Sequence, residues 1–586
     1  MKKILLSWKR AAAFGRGAFM LVCLLLGVGT ASAQTVQQRL DAMTAHMKQL
    51  QDLSAKLPAA EKGRLSSGTQ HLLRVAGEWD QIGPQLARSA ATLNSSLNGN
   101  PFNPGGSLPP GEVSDPSTDL AFSRLAGFVQ SETSTAWCGG TVVVAFNDSG
   151  SFLETFPIPN IGLSFNGFSR STDGGQTFTD EGFLNPGPNI NNFLGGDPVV
   201  TCTDANTFYY SSIFQTFTAA GAPLTGVSVS KSTDGGRTFA DPVPAVLKDA
   251  FNHFVDKPWM AVSTQHPNNV YVTYTDFDFT GFVTPSTAIC PNTIRLGIEL
   301  VSSTDGGATW SPPTVVDKGC FPFEDQGSNV DVGGDSIYVA WEQFPAFLPT
   351  NEIDIARSKN GGASFGPKSV VAIVTVVGHN LFGLLQGGFR NNEFPSLAIS
   401  RSDDEDKRTL YIAWNDGRNG VIPDGFPPGF GATYNFGDAF VTSSTDKGAT
   451  WSPPVKVNDD VGAANHIDHY LPGIAASWDG SLGVCWYDRR RDPENFLIDR
   501  ECATSNDHGQ TWKNTLITMR NFSPIIADDL LVNPVYMGDY DGVAADFLGE
   551  YEGFLGAYGD NARGNPDVRI SRRFGGSDDS GALDDN

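Results

Sequence analysis

The chain has 586 residues, enough for several ordinary domains or for one large repeat array with a small appendage. Its 64 Asp and Glu against 40 Lys and Arg give a net charge of −24, which argues against nucleic acid or an anionic membrane as a partner.

The first stretch carries Lys2, Lys3, Lys9, Arg10 and Arg16, then the apolar run AFMLVCLLLGVG, then Ala31-Ser32-Ala33. That is the layout of a cleavable secretory signal over residues 1–33, with the mature chain starting near Gln34 and the protein secreted or periplasmic. Removing it leaves 35 basic against 64 acidic residues, a charge of −29, and six of the seven cysteines. An even number in an exported chain is what disulfides require. No later apolar run reaches the roughly 20 residues of a membrane helix, so no membrane insertion is expected.

From Thr35 to Leu57 the residues Val36, Leu40, Met43, Met47, Leu50 and Leu57 follow a helical 4-3-4-3 rhythm. Leu72, Val75, Trp79, Ile82 and Leu86 repeat it until Gly83-Pro84 interrupts. Residues 34–97 therefore read as a helical hairpin, or as a coiled-coil seam that makes homo-oligomers. Residues 98–118 are a linker rich in Gly, Pro and Ser, and 574–586 form a short acidic tail.

Between them lies one sentence written six times: STDGGQTF, STDGGRTF, STDGGATW, SKNGGASF, STDKGATW and SNDHGQTW, with third residues at 173, 234, 305, 360, 446 and 507. Apolar strands flank each copy, and two more precede it, so the period is one four-stranded unit. The motif Ser-x-Asp-x-Gly-x-Thr-Trp/Phe resembles the Asp-box, or BNR repeat, of the sialidase-like β-propeller superfamily over residues 119–573. The resemblance implies an all-β propeller. The Asp carboxylate accepts backbone N–H groups across a turn, Gly supplies the left-handed position and the aromatic fills the gap between blades, so the repeat is structural. Inner strands beginning near Glu132, Asp197, Asp256, Gln326, Glu393, His469 and Asp539 give seven blades, with six as the alternative. The last unit lacks the repeat, and 119–128 is expected to supply its outer strand.

In such a ring the starts of the inner strands collect around one mouth. That gathers Asp197, Asp256, Lys257, Glu393, Asp468, His469, Asp539 and Tyr540, with Asp148, Asp276, Asp416, Arg418, Asp488, Arg490, Asp560 and Arg563 on the loops around them. Sialidases carry an Arg-Ile-Pro signature, an Arg triad for the substrate carboxylate and a Tyr–Glu nucleophile pair. This chain has no Arg-Ile-Pro, and Glu393-Phe394-Pro395 puts a carboxylate where that Arg would stand. By resemblance Tyr540 stands for the nucleophile and Arg418, Arg490 and Arg563 for the clamp; Asp197, Asp468 and His469, placed in the mouth by topology, are expected to bind substrate. A glycosidase needs two carboxyl groups, for which Glu393 is the acid and Asp256 or Asp539 the partner. The competing reading is that these acids bind Lys257 and Arg390 and hold the channel together.

Function thus stands between a glycan-binding propeller that hydrolyses its ligand, as a sialidase-like glycoside hydrolase, and a non-catalytic carbohydrate- or protein-binding scaffold. No cofactor is expected. A metal at His466–His469 is set aside, because Asp468 and His469 face opposite ways on a strand. Three disulfides are expected: Cys485–Cys502 across consecutive strands, Cys138–Cys202 between matching places of neighbouring inner strands, and Cys290–Cys320 in loops of the mouth.

Overall fold

The computed structural model describes residues 107–116 and 127–576, apart from 157, 159, 346–349, 380–383, 402–407, 424–432, 461–465, 526–528, 530 and 533–536, together with scattered positions between 40 and 84. The expected leader, most of the helical segment and the tail beyond 576 lie outside the described residues. Among the described helical positions, Trp79 Nε1 donates to Thr44 Oγ1 at 2.8 Å and Gln51 Nε2 donates to the Ala76 carbonyl at 2.5 Å. No helix among the described residues is long and apolar enough to cross a membrane.

The fold is a β-propeller. Six sheets each contain four antiparallel strands in sequence order, the first being Gln130–Cys138, Thr141–Asp148, Asn166–Ser171 and Thr179–Phe183. The inner strands of the next five are Val199–Cys202, His253–Val262, Phe323–Gly333, Ser396–Ile399 and His469–Ala476. The second strands (TVVVAFND, VYVTYTDFD, LGVCWYD) are rich in β-branched and aromatic residues and almost wholly buried, as strands covered on both faces must be.

A seventh sheet has three strands, Val543–Ala545, Phe554–Asp560 and Asp567–Ile570. Its outer edge is paired by residues 111–114: Glu112 bridges Arg569, Val113 N–H donates to the Val568 carbonyl at 3.0 Å and Ile570 N–H to the Gly111 carbonyl at 3.1 Å. This corrects the assignment of that pairing to 119–128, whose residues up to 126 lie outside the described set. The reason is apolar: Val113 is fully buried against Val568 and Ile570, so part of the stretch expected as linker is built into the ring.

Apolar clusters fill the seams between consecutive sheets, from Val143, Phe168, Val200 and Tyr210 between the first and second to Cys485, Cys502, Phe554 and Phe574 between the sixth and seventh. A further cluster joins the seventh to the first through Leu555, Val568, Val142 and Val144. The aromatic of each repeated turn enters one such seam: Phe178, Phe239, Trp310, Phe365, Trp451 and Trp512.

The repeated turns share one hydrogen-bond plan. In the third, Asp305 Oδ1 accepts from Ser303 Oγ (2.8 Å) and Thr309 N–H (2.9 Å), Oδ2 accepts from Thr309 Oγ1 (2.5 Å), and Ser303 Oγ accepts from Gly307 N–H (2.9 Å). Gly306 and Gly307 hold φ of 72° and 84°, the left-handed region that favours glycine. The hydroxyl of the Thr four residues on, then backbone N–H groups, hold Asp305, Asp446 and Asp507 down to about 2. These carboxylates are fully occupied by their own turns.

All three expected disulfides are present, Cys138–Cys202, Cys290–Cys320 and Cys485–Cys502. Cys485 and Cys502 are direct partners in the strand register, which brings their Cα atoms to 4.0 Å.

Candidate functional site

Where the inner strands start, their register slips. Shifts fall between Ser131 and Ser134, Asp256 and Trp259, Gln326 and Asn329, and Tyr470 and Gly473, each a bulge that re-aims side chains. Glu132, Asp197, Lys257 and Leu471 accordingly hold φ of 52–53°, a conformation that costs a non-glycine residue roughly 1–3 kcal/mol and persists only where its surroundings fix it.

The surroundings are a buried charge network. Lys257 Nζ pairs with Asp539 and lies 3.5 Å from Glu132 Oε1, with the rings of Tyr540 and Phe394 at 5.3 and 5.6 Å. Arg390 Nη2 and Asn392 Nδ2 reach Asp539 at 3.2 and 3.1 Å, and Asp539 N–H donates to Glu132 Oε1 at 3.1 Å. Asn147 bridges two strands by donating to Glu132 Oε2 (2.7 Å) and accepting from Asp197 N–H (2.9 Å). Burial alone would lower the Lys257 ammonium, but Asp539, then Glu132, Asp197 and Asp256, hold it above its usual range. Burial and then Glu132 push the Asp197 carboxyl well up, against the pull of Lys257. Tyr540 donates to the Pro198 carbonyl at 3.0 Å and packs edge-on against Trp259.

The structure thus brings Asp197, Asp256, Asp539, Tyr540 and Lys257 together, with Gln326 Nε2 donating to Asp256 Oδ2 at 3.2 Å. Glu393 has different partners. Its Oε1 accepts from Val377 N–H (3.0 Å) and Asn391 Nδ2 (2.9 Å), with Glu342 as its main charged neighbour. Burial first, then Glu342 and Asp416, push Glu393 well above the usual carboxylate range.

Asp468 and His469 both reach the fifth-sheet strand Thr433–Ser444, with Gly437 N–H donating to Asp468 Oδ1 at 3.3 Å. Asp468 Oδ2 accepts from Tyr434 Oη (2.6 Å) and Asn495 Nδ2 (2.7 Å), and the His469 ring lies with Nδ1 2.9 Å from the Gly437 carbonyl.

The three arginines stay apart, one on each of three sheets. Arg418 pairs with Asp416 and stacks over Phe440 at 5.0 Å; Arg490 pairs with Asp488 (2.7 Å) and Asp459 (2.5 Å); Arg563 pairs with Glu112. Their aspartates are turn residues. Asp148, Asp278, Asp416, Asp488 and Asp560 each accept the N–H of the second residue on, which caps the loop after a second strand.

Glu393 and Asp539 are 2 % exposed and Asp256 is fully buried. Lys257, Asn392, Phe394, Asp539 and Tyr540 line a cavity of only about 50 Å³. Its neighbour, about 170 Å³, runs along the axis between Val200, Met260, Val330, Leu397, Ile474 and Ala544. The loops nearby carry an apolar cluster that includes Phe128, Phe389, Tyr470 and Leu531, which Met47, Ala76 and Trp79 of the helical segment join. Sequence reading passed over Glu342, Asn147 and Asn392 as partners. Glu342 carries the aromatic-then-acid signal (Trp341-Glu342) that marks the other second strands; the two asparagines carry none.

No family model matches the chain, and no curated protein matches it. Among solved structures it is similar to the Hadza microbial sialidase Hz136, at 13 % identity over 71 % of this chain and 80 % of that one, TM-score 0.37. It is also similar to the GH93 alpha-L-arabinofuranosidase of Fusarium graminearum, 14 % identical over 66 % and 93 %, TM-score 0.40. A PL25 ulvan lyase is 11 % identical over 80 % and 95 %, TM-score 0.42.

Proposed function

We propose that the chain is an exported Asp-box β-propeller of seven blades that recognises a glycan or glycoconjugate and does not cleave it at the axis. The observation that carries the reading is the state of the candidate acids: Glu393, Asp256 and Asp539 are buried, and each has its partner inside the protein. A glycosidase needs two carboxyl groups about 5 Å apart or about 6.5–9.5 Å apart with substrate between them. Glu393 is instead buried, with its Oε1 taken by Val377 N–H and Asn391 Nδ2.

A binding surface is better supported on the third and fourth sheets. Phe282, Val283, Ile289 and Phe323 are exposed at 63, 62, 41 and 51 %, the first two in a short helix, Ile289 beside Cys290, and Phe323 at the start of its strand three residues after Cys320. The loops are tied together by Leu296 N–H to the Gly319 carbonyl (2.9 Å) and Asn292 N–H to the Gly281 carbonyl (3.0 Å). Rigid aromatic faces of this kind offer large contact area at low entropic cost. The test is a glycan array with the purified full chain. Phe282→Ser with Phe323→Ser is expected to abolish retention and Glu393→Gln to leave it unchanged; turnover of a glycoside that Glu393→Gln abolishes would overturn the reading.

A further inference from the structure

The seam between the fifth and sixth sheets holds a second constellation. Ligand atoms of Asp438, Asp460 and His469 lie within 4.8 Å of one another. His469 is fully buried, and its Nδ1, 2.9 Å from the Gly437 carbonyl, can satisfy that oxygen only as an N–H donor. That places a proton on Nδ1 and leaves Nε2 as the ring atom open to a ligand. Nε2 has no hydrogen-bond partner, yet it is 3.6 Å from Asp460 Oδ1 and 3.4 Å from Asp488 Oδ2. A buried lone pair aimed at two carboxylates is unfavourable, and either a second proton on Nε2 or a metal ion between the groups relieves it. Donors around a four-coordinate zinc, at about 2.0–2.2 Å from the ion, stand about 3.4 Å apart, which matches the 3.6 and 3.4 Å from Nε2 to Asp460 and Asp488, with Asp438 within 4.8 Å. An imidazole whose other N–H is held by a backbone carbonyl is the form in which histidine ligates metals.

The charge balance agrees. Asp438, Asp459, Asp460, Asp488 and Glu501 face two fixed cations, Lys456 and Arg490. Asn458 Nδ2 donates to Asp438 Oδ1 at 2.8 Å and to Asp460, and holds the two carboxylates side by side. Lys456 Nζ, 3.4 Å from Asp460 and 3.6 Å from Asp438, is the internal competitor, but its side chain is 33 % exposed and can swing into solvent on its flexible stem.

We propose that this seam binds one divalent transition-metal ion, Zn²⁺ or Mn²⁺, through His469 Nε2 and the carboxylates of Asp460 and Asp438, with Asp488 beside them, and that the ion clamps the fifth sheet to the sixth. The imidazole selects against Ca²⁺ and Mg²⁺, which take oxygen ligands. The inference is independent of what the protein recognises.

The full chain, stripped with chelator and dialysed, is titrated with ZnCl₂ and MnCl₂ by calorimetry, and with Co²⁺ by visible absorption. One equivalent is expected, with a Co²⁺ spectrum of low coordination number and a raised melting temperature. His469→Gln carries a folding risk at a buried site, so the working variants are Asp460→Asn and Asp438→Asn, each expected to weaken binding at least about tenfold with an unchanged far-ultraviolet spectrum. Lys456→Met is expected to tighten it. Absence of stoichiometric binding, wild-type affinity in both Asn variants, or weaker binding in Lys456→Met would each overturn the site.

Discussion

Replacing Lys257 by Met keeps the length and most of the apolar stem of the side chain and removes its charge. What is lost is the ammonium that pairs with Asp539 and lies 3.5 Å from Glu132, beneath a surface where Lys257 is 4 % exposed. Glu132, Asp197, Asp256 and Asp539 then share the space with Arg390, which contacts Asp539 at 3.2 Å. Breaking one partner out of a buried pair costs about 3–5 kcal/mol, because the charge left behind is uncompensated. With an unfolding entropy of about 2.1 cal/mol/K per residue over roughly 450 residues, near 1 kcal/mol/K in all, this is a fall of about 3–5 °C in melting temperature. Differential scanning calorimetry at pH 7.5 and pH 5 measures it. The fall is smaller at pH 5, where the stranded carboxylates take up protons more readily, and Lys257→Met with Asp539→Asn recovers part of it. An unchanged melting temperature at pH 7.5 would refute the view that this network holds the axis together.

Glu393, whose folded carboxyl lies above its usual value, contributes stability that is present below about pH 4.5 and lost as pH rises toward its folded value; Glu393→Gln therefore flattens the alkaline limb of the melting temperature against pH. Asp305, Asp446 and Asp507 act in the opposite sense: held down to about 2, they contribute stability above about pH 4 that disappears as pH falls toward 2, and Thr309→Ala, Thr450→Ala and Thr511→Ala together move the acid midpoint upward. Removing Cys138–Cys202, whose ends are 64 positions apart in sequence, costs about 4 kcal/mol on the loop-entropy model, read by chemical denaturation of the double Ala variant. Deleting residues 34–104 uncovers the cluster that Met47, Ala76 and Trp79 join, so it raises binding of a hydrophobic dye; an unchanged dye signal would mean that the helices cover nothing.

The propeller was legible because its information is periodic. The turn built on Asp173 or Asp507 is written in eight contiguous residues, every hydrogen bond within four positions, and the sequence states it in full. Cys485 and Cys502 were readable for a similar reason, since strands joined by a short loop have few registers available. The axial residues were legible as a set, because every inner strand begins at the same radius. Their pairing was not. Whether Glu393 meets Asp539 or Glu342 depends on the bulges that turn each strand start, and no local pattern announces a slip of register. The source of the seventh sheet's outer edge was misplaced for a related reason: Gly111–Ser114 lies in a stretch whose Pro and Gly content reads as linker, and only the fit of Val113 against Val568 makes it structural.

That same geometry explains why so many acids gather at the axis without implying catalysis. Side chains from strands of a radial array converge, so a polar residue at the start of each strand is concentrated by symmetry alone. An axis of apolar side chains would be easier to bury, but the bulged starts expose backbone N–H groups that need acceptors. Asp539 N–H finds Glu132, Lys257 N–H finds Asp197 Oδ2 at 3.3 Å, and Val377 N–H finds Glu393. Each carboxylate thus satisfies a backbone donor of another segment, and one lysine then offsets the charge that accumulates. Carboxylate density at the centre of a propeller therefore measures how its strand starts are capped. Glu393, Asp256 and Asp539 are each buried in this role, and on the reading proposed above their work is to cap strand starts.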